Sequence, residues 1–205
     1  RDLPWRRTRD PYAIWISETM LQQTRVETVV PYYERFLERF PRVSDLAEAS
    51  EDDVFAHWAG LGYYRRASNL HRAARVVHAE RAGEIPVEER DLLALPGIGR
   101  YTAGALRSIA FGREAPVLDG NVARVLARVF GREGELRTHE VELWELATRL
   151  VAGSRPADLN QGLMELGAVV CVPRSPRCDA CPLDGVCDAR RRGLSEAIPT
   201  PASRK

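Results

Sequence analysis

Residues 91–112 read DLLALPGIGRYTAGALRSIAFG. A short apolar helix runs to Leu95, Pro96-Gly97-Ile98-Gly99 makes a tight turn, and a second helix opens near Arg100. Glycine at 97 and 99 permits backbone conformations closed to other residues. Such a turn can aim several backbone N–H groups outward at the start of the second helix. That is an anion site, suited to a phosphate of a nucleic-acid backbone. Contacts of this kind read no bases, so they fit anywhere along a duplex. A plain αα-hairpin with a glycine cap would use the same residues; the i, i+2 glycines followed by Arg100 shift the balance toward DNA.

On either side of this motif the chain reads as helical. Apolar spacings of three and four dominate, and strand-like alternation is scarce. The pattern predicts helices over 12–24, 27–39, 43–48, 51–59, 64–81, 88–95, 100–111, 121–130, 138–151 and 158–170. Breakers fall between them at Pro41, Gly60 and Gly62, Gly83, Pro96-Gly97, Gly112, Gly131 and Gly153-Ser154. Val122, Val125, Leu126 and Val129 form an i, i+3, i+4, i+7 stripe. The short, polar, proline-containing tail after Gly193 is expected to be disordered.

At 205 residues the chain can hold one large or two small domains. Hydrophobic and charged shares of 44% and 29% describe an ordinary soluble protein. No apolar run approaches the ~20 residues that span a bilayer. A net charge of +1 supplies no whole-molecule attraction to nucleic acid or membrane. The basic residues are unevenly spread, with Arg1, Arg6, Arg7 and Arg9 at the start and Arg190, Arg191 and Arg192 near the end. All 30 are arginine except Lys205, so no internal lysine exists to form a Schiff base.

The four cysteines, Cys171, Cys178, Cys181 and Cys187, lie within C-VPRSPR-C-DA-C-PLDGV-C. Four thiolates so close in sequence can surround one metal centre. A zinc ribbon joins two separated C-x-x-C pairs. Here there is one such pair, flanked at wider and unequal spacing, which better suits an iron–sulfur cluster held by four cysteines. Zinc is the alternative. Disulfides fit poorly because no secretory leader pattern precedes them, and inert core cysteines rarely sit among Pro, Arg and Asp.

Two carboxylates stand out. Glu18, in PYAIWISETMLQQT, shares a helix face with Ile14 and Leu21. Desolvation on an apolar face raises a carboxyl pKa and favours the protonated acid. Asp119, in APVLDGNVARVL, immediately precedes a helix. It is a good N-cap, and an ionised carboxylate there could also stabilise a developing cation. One protonated and one ionised carboxylate are what cleavage of a glycosidic bond requires.

Together, LPGIGRYTAGA at 95–105, VLDGNV at 117–122 and the Cys-x₆-Cys-x₂-Cys-x₅-Cys spacing resemble the helix–hairpin–helix DNA glycosylases. The segments RDLPWR, SETMLQQTRV and GLGYYRRASNL are similar to adenine DNA glycosylases of the MutY type. The similarity runs from Arg1 to about Cys187. It implies an all-α fold in which a six-helix barrel packs against a second helical domain carrying a 4Fe–4S cluster loop at 171–187. The barrel would span 13–115, with the helix–hairpin–helix at about 91–111, and the second domain would combine 1–12 with 116–205.

The resemblance also implies base excision from duplex DNA containing adenine opposite 8-oxoguanine or guanine, with the adenine flipped out of the helix. Glu18 would protonate adenine N7 and position water, Asp119 would stabilise the oxocarbenium-like sugar, and Asn121 would order the site. Arg1, Trp5, Leu21 and Gln161 match positions that line the base pocket or contact the adenine. Gln22 lies in the same MLQQT run; Gln23 and Tyr63 match residues that enter the base stack and contact the opposing 8-oxoguanine. Gly97, Gly99 and Arg100 would meet the DNA backbone. Arg174 and Arg177, inside the first cysteine loop, could do so too. Cys171, Cys178, Cys181 and Cys187 would hold one 4Fe–4S cluster.

In the related bifunctional enzymes a nucleophilic lysine follows the hairpin's basic residue; here that residue is Tyr101, which implies a monofunctional enzyme without a lysine-driven lyase step. A cytoplasmic, nucleoid-associated monomer is expected. MutY-type enzymes usually carry a further, Nudix-like domain, whereas these 205 residues end soon after the cysteines. Mismatch glycosylases that remove thymine or uracil opposite guanine can also carry tyrosine at this place, and RTRDPY and LWELA suit them. MLQQT, GLGYY and Gly120 favour the adenine enzymes. A non-catalytic DNA-binding iron–sulfur protein is the third alternative, against which the presence of both Glu18 and Asp119 argues.

Overall fold

The computed structural model describes residues 1–153 and 155–201, and among these there is helix but no strand. The chain divides into two compact units, Arg1–Phe111 and Gly112–Lys205. The first holds α1 (Pro11–Leu21), α2 (Val26–Arg39), α3 (Val43–Glu48), α4 (Glu51–Trp58), α5 (Arg65–Arg81), α6 (Glu89–Leu93) and α7 (Arg100–Ala105). The second holds α8 (Gly120–Val129), α9 (Glu140–Val151), α10 (Pro156–Val169) and the short α11 (Asp188–Arg191). No helix among the described residues is long and apolar enough to cross a membrane.

The first unit is built around α1. Pro11 occupies its first turn, where a missing N–H costs nothing, and the Asp10 carboxylate accepts from the N–H groups of Tyr12 and Ala13. Every residue from Tyr12 to Met20 is buried, and α2, α5 and α7 pack around it. Burying large side chains such as Ile14, Trp15, Ile16 and Met20 contributes about 1.5–3 kcal/mol each. Residues 1–12, grouped with the second domain by the sequence division, pack on the first unit here. Trp5 meets Tyr33 edge-on, with ring centroids 5.4 Å apart.

The helix boundaries follow the periodicity closely, with three informative differences. The helix expected over 12–24 ends at Leu21, because the carbonyls of its last turn are taken by Arg66. The helix expected over 100–111 widens to a π turn at Leu106–Ala110. And α8 is buried from Val122 to Arg128, well beyond its apolar stripe.

The tail corrects an expectation. Instead of being disordered after Gly193, residues up to 201 are placed on the second unit. Ile198 is 1% exposed and joins a core with Val122, Leu126, Leu143, Leu146 and Ala189. Its carbonyl accepts from Arg128 Nε at 2.7 Å, and the Thr200 N–H donates to Gly134 O at 2.9 Å. One apolar side chain with a core slot outweighs the polar composition around it. Residues 202–205, and Ser154 of the Gly153-Ser154 breaker, lie outside the described residues.

Candidate active site

The SET triplet of α1 sorts itself by hydrogen bonding. Ser17 Oγ donates to Ile14 O and Thr19 Oγ1 to Trp15 O, both at 2.8 Å, so these hydroxyls are satisfied within their own helix. Glu18, 3% exposed, reaches a different element. Its Oε2 accepts from Tyr101 Oη at 2.7 Å. Tyr101 stands in the first turn of α7, so the hairpin delivers a phenol to the buried carboxyl.

The hairpin glycines differ in what demands them. Gly97 has φ +78°, and a Cβ there would lie 2.7 Å from Asn69 Cβ on α5. Both the left-handed backbone and the close approach require glycine. Gly99 has an ordinary φ of −99°, and a Cβ there would meet nothing within 4 Å. Nothing inside the chain calls for glycine at 99; an outside group that must approach the backbone at the start of α7 would. Arg100, beside it, is exposed.

A second cluster forms where α1 ends. Leu21 and Gln22 are half-buried and Gln23 is exposed. Gln23 has φ +59°, and Tyr63, in the loop before α5, has φ +50°. Tyr63 is 60% exposed. Between them lies Arg66, which sequence reasoning missed. Its Nη1 donates to Thr19 O at 3.1 Å, to Met20 O at 2.8 Å and to Gln22 O. Its Nη2 donates to Thr24 Oγ1, Leu61 O and Gly62 O at 3.1–3.3 Å. Burial lowers its guanidinium pKa. A signal was present: Arg66 is in phase with Leu70, Ala73 and Val77, the buried face of α5. Of the other residues assigned to the base pocket, Trp5 is buried against Tyr33 and Arg1 is exposed, 3.9 Å from Glu27.

In the second unit Asp119 is the N-cap of α8, and both carboxylate oxygens accept. Oδ1 takes the Val122 N–H at 2.7 Å and Oδ2 takes Asn121 Nδ2 at 3.0 Å. Asn121 Oδ1 accepts from Arg124 Nη2 at 2.9 Å, and Arg124 continues to Gly167 O at 2.7 Å and Cys171 O at 2.8 Å. Gly167 makes this possible, because a Cβ there would sit 2.7 Å from Asn121 Cβ. Gln161 is half-buried on α10. Sequence reasoning found Asp119 and Asn121 but not Arg124, whose charge masks its burial at 9% exposure.

All four cysteines are free, half-buried and line one pocket with Val125, Leu166 and Leu183. Burial pushes the Cys181 thiol up, and the three neighbouring cysteines push it further. Among the described residues no three Cys, His, Asp or Glu side chains close on a single ion. Four thiols lining one pocket are a donor set whose chemistry fits an iron–sulfur cluster. Arg128, 2% exposed, braces this loop: Nη1 donates to Cys171 Sγ at 3.2 Å and Val172 O at 2.8 Å, and Nη2 to Pro173 O at 3.2 Å. Arg174 is exposed, whereas the Arg177 guanidinium turns back to donate to Val169 O at the end of α10.

Residues 16–148 match the sequence family described as HhH-GPD superfamily base excision DNA repair protein. The chain is 49% identical to the adenine DNA glycosylase of Homo sapiens over 97% of its own length and 38% of that protein's. It is 40% identical to the adenine DNA glycosylase of Buchnera aphidicola subsp. Schizaphis graminum over 92% of its own length and 55% of that protein's. It thus spans from about two fifths to just over half of these relatives. Among solved structures, a thermostable thymine-DNA glycosylase superposes with a TM-score of 0.84 at 35% identity, covering 94% of this chain and 89% of that one. A non-covalent endonuclease III–DNA complex superposes with a TM-score of 0.78 at 23% identity, covering 91% and 87%, a likeness of fold alone.

Proposed function

The chain belongs to the HhH-GPD superfamily of base excision DNA repair proteins, and we propose that within it the protein is a monofunctional adenine DNA glycosylase acting on adenine opposite 8-oxoguanine or guanine. The observation that carries this reading is the buried Glu18 carboxyl held by Tyr101 Oη at 2.7 Å, in a chain 49% identical to an adenine DNA glycosylase. A hydroxyl stands where a Schiff-base lysine would be needed, and residues 1–204 contain no lysine.

In the proposed reaction the target adenine leaves the base stack. The Glu18 acid proton passes to adenine N7, and the C1′–N9 bond breaks with its electron pair going to the base. Asp119 offsets the positive charge that develops on the sugar, and Asn121, donating to Asp119 Oδ2 at 3.0 Å, keeps that carboxylate in place. The Glu18 carboxylate then orients a water and takes its proton as the oxygen bonds to C1′. The products are free adenine and an abasic site.

Gly97, Gly99 and Arg100 would hold the DNA backbone, with Arg174 adding a phosphate contact whose strength falls with salt. Arg1, Trp5, Leu21, Gln22 and Gln161 would border the adenine. Gln23 and Tyr63 would enter the stack beside the opposing base. Cys171, Cys178, Cys181 and Cys187 would hold a 4Fe–4S cluster, which when bound cross-links the loop that Arg128 braces. The protein would work as a monomer, associated with the nucleoid through DNA.

Single-turnover base release tests this on matched duplexes carrying A opposite 8-oxoguanine, A opposite guanine or T opposite guanine. Adenine release that Glu18→Gln abolishes is the expected result. Thymine release without adenine release would favour the second reading, for which the match to the thymine-DNA glycosylase structure speaks. Binding without release from any duplex would reduce the protein to a DNA-binding module.

A further inference from the structure

We propose that Arg66 is a positioning residue that fixes Gln23 and Tyr63 together as one pre-formed wedge for the DNA base stack. The inference rests on the DNA roles proposed above for those two residues.

The last carbonyls of a helix have no partner within it. The common solution places glycine, in the left-handed conformation, one residue past the cap. After α1 the cap is Gln22, and the left-handed position is filled by Gln23 at φ +59°. Tyr63, in the loop before α5, is also left-handed, at φ +50°. Glycine would take both positions without strain. A side chain kept there against its backbone preference points to a use for that side chain, and such residues persist only where their surroundings over-determine them. Gln23 is exposed and Tyr63 is 60% exposed, so neither is retained for packing.

The surroundings that over-determine both are one guanidinium. Nη1 serves the end of α1 through the carbonyls of Thr19, Met20 and Gln22. Nη2 serves the other loop through Leu61 O and Gly62 O, and also reaches Thr24 Oγ1 just after Gln23. The Arg66 N–H donates to Tyr63 O at 2.9 Å, and the guanidinium carbon lies 5.4 Å from the centroids of both the Tyr63 and Trp58 rings. The two loops are therefore tied to one rigid planar fork, whose Nη2 bonds to both. Lysine cannot replace it, since its donors radiate from a single nitrogen. A wedge whose shape exists before DNA arrives loses less freedom on insertion.

Arg66→Gln and Arg66→Lys test this with the 205-residue chain and an uncleavable duplex holding 2′-fluoroadenosine opposite 8-oxoguanine. A 2-aminopurine beside the 8-oxoguanine reports unstacking by its fluorescence. Wild type should brighten the probe. Both variants should bind the duplex but lose the brightening, and on cleavable substrate their single-turnover base release should fall by about a hundredfold, the scale set by a misplacement near 1 Å. Tyr63→Ala combined with Arg66→Lys should be no slower than the slower single variant. If Arg66→Gln does not fold, Arg66→Lys carries the test through the same two readouts. Full brightening and an unchanged rate in a folded variant would overturn the inference, because a residue serving stability alone would lower the melting temperature and leave the probe untouched. A wild-type chain that brightens the probe but releases no base would sink the proposed enzyme and leave the wedge standing.

Discussion

Tyr101 and Glu18 meet through a hydrogen bond, and each has a separable part in it. Tyr101→Phe keeps the ring and removes the hydroxyl that donates to Glu18 Oε2 at 2.7 Å. One such bond to a reacting carboxyl is worth about 1.5 kcal/mol, or roughly tenfold in rate. Base release by Tyr101→Phe should therefore slow by about that factor, with the melting temperature nearly unchanged because Tyr101 is only half-buried. An unaltered rate would show that the phenol does not act through Glu18. Glu18 was legible as a carboxylate on an apolar face, and Tyr101 as a non-lysine. Their contact was not, because 83 residues separate them and no local spacing brings them together. Arg66 escaped notice for a related reason: an arginine pair after GLGYY reads as solvated until the acceptors from α1 are in place.

At the scale of elements, α5 carries a titration that the sequence does not advertise. His71 is 3% exposed where α5 packs on α3, its Nε2 has no hydrogen-bond partner among the described residues, and burial lowers its pKa below the usual 6.5. Arg75 lowers it further, while Glu51 and the backbone of Ala47 and Ala49 oppose the shift. The folded chain thus keeps His71 neutral where the unfolded chain has begun to bind a proton. Stability should be fully present above about pH 6.5 and fall as pH drops below it. His71→Gln should flatten this limb, so its melting temperature should lose less than that of wild type between about pH 7.5 and pH 5.5. An equal loss in both would assign the acid sensitivity to other groups. Helix boundaries were readable from apolar periodicity because that signal is local. The early stop of α1 at Leu21 and the burial of α8 from Val122 to Arg128 were not, since both depend on what packs from elsewhere in the chain.

For the whole molecule, the cysteine loop sets how the second unit is stabilised. Four thiols line one pocket of this unit, and metal-binding free energy at a site of this kind is folding free energy. Cys178→Ser should lower iron per chain and visible absorption together, and should lower the melting temperature of the second unit. A colourless wild-type protein with one zinc per chain would place a different metal there. The sequence alone determined the all-helical class, the hairpin at 91–111, the two carboxylates and the four-cysteine spacing. Each is a local pattern, in which the chemistry needs given residue types at short fixed intervals. Only the tertiary structure decided that Arg66 joins two loops, reaching back 44–47 residues to the end of α1. Only it showed that Arg128 reaches forward 70 residues to a tail ordered through Ile198. A buried guanidinium looks like any surface arginine in sequence; what distinguishes it is the set of carbonyls that folding brings within reach.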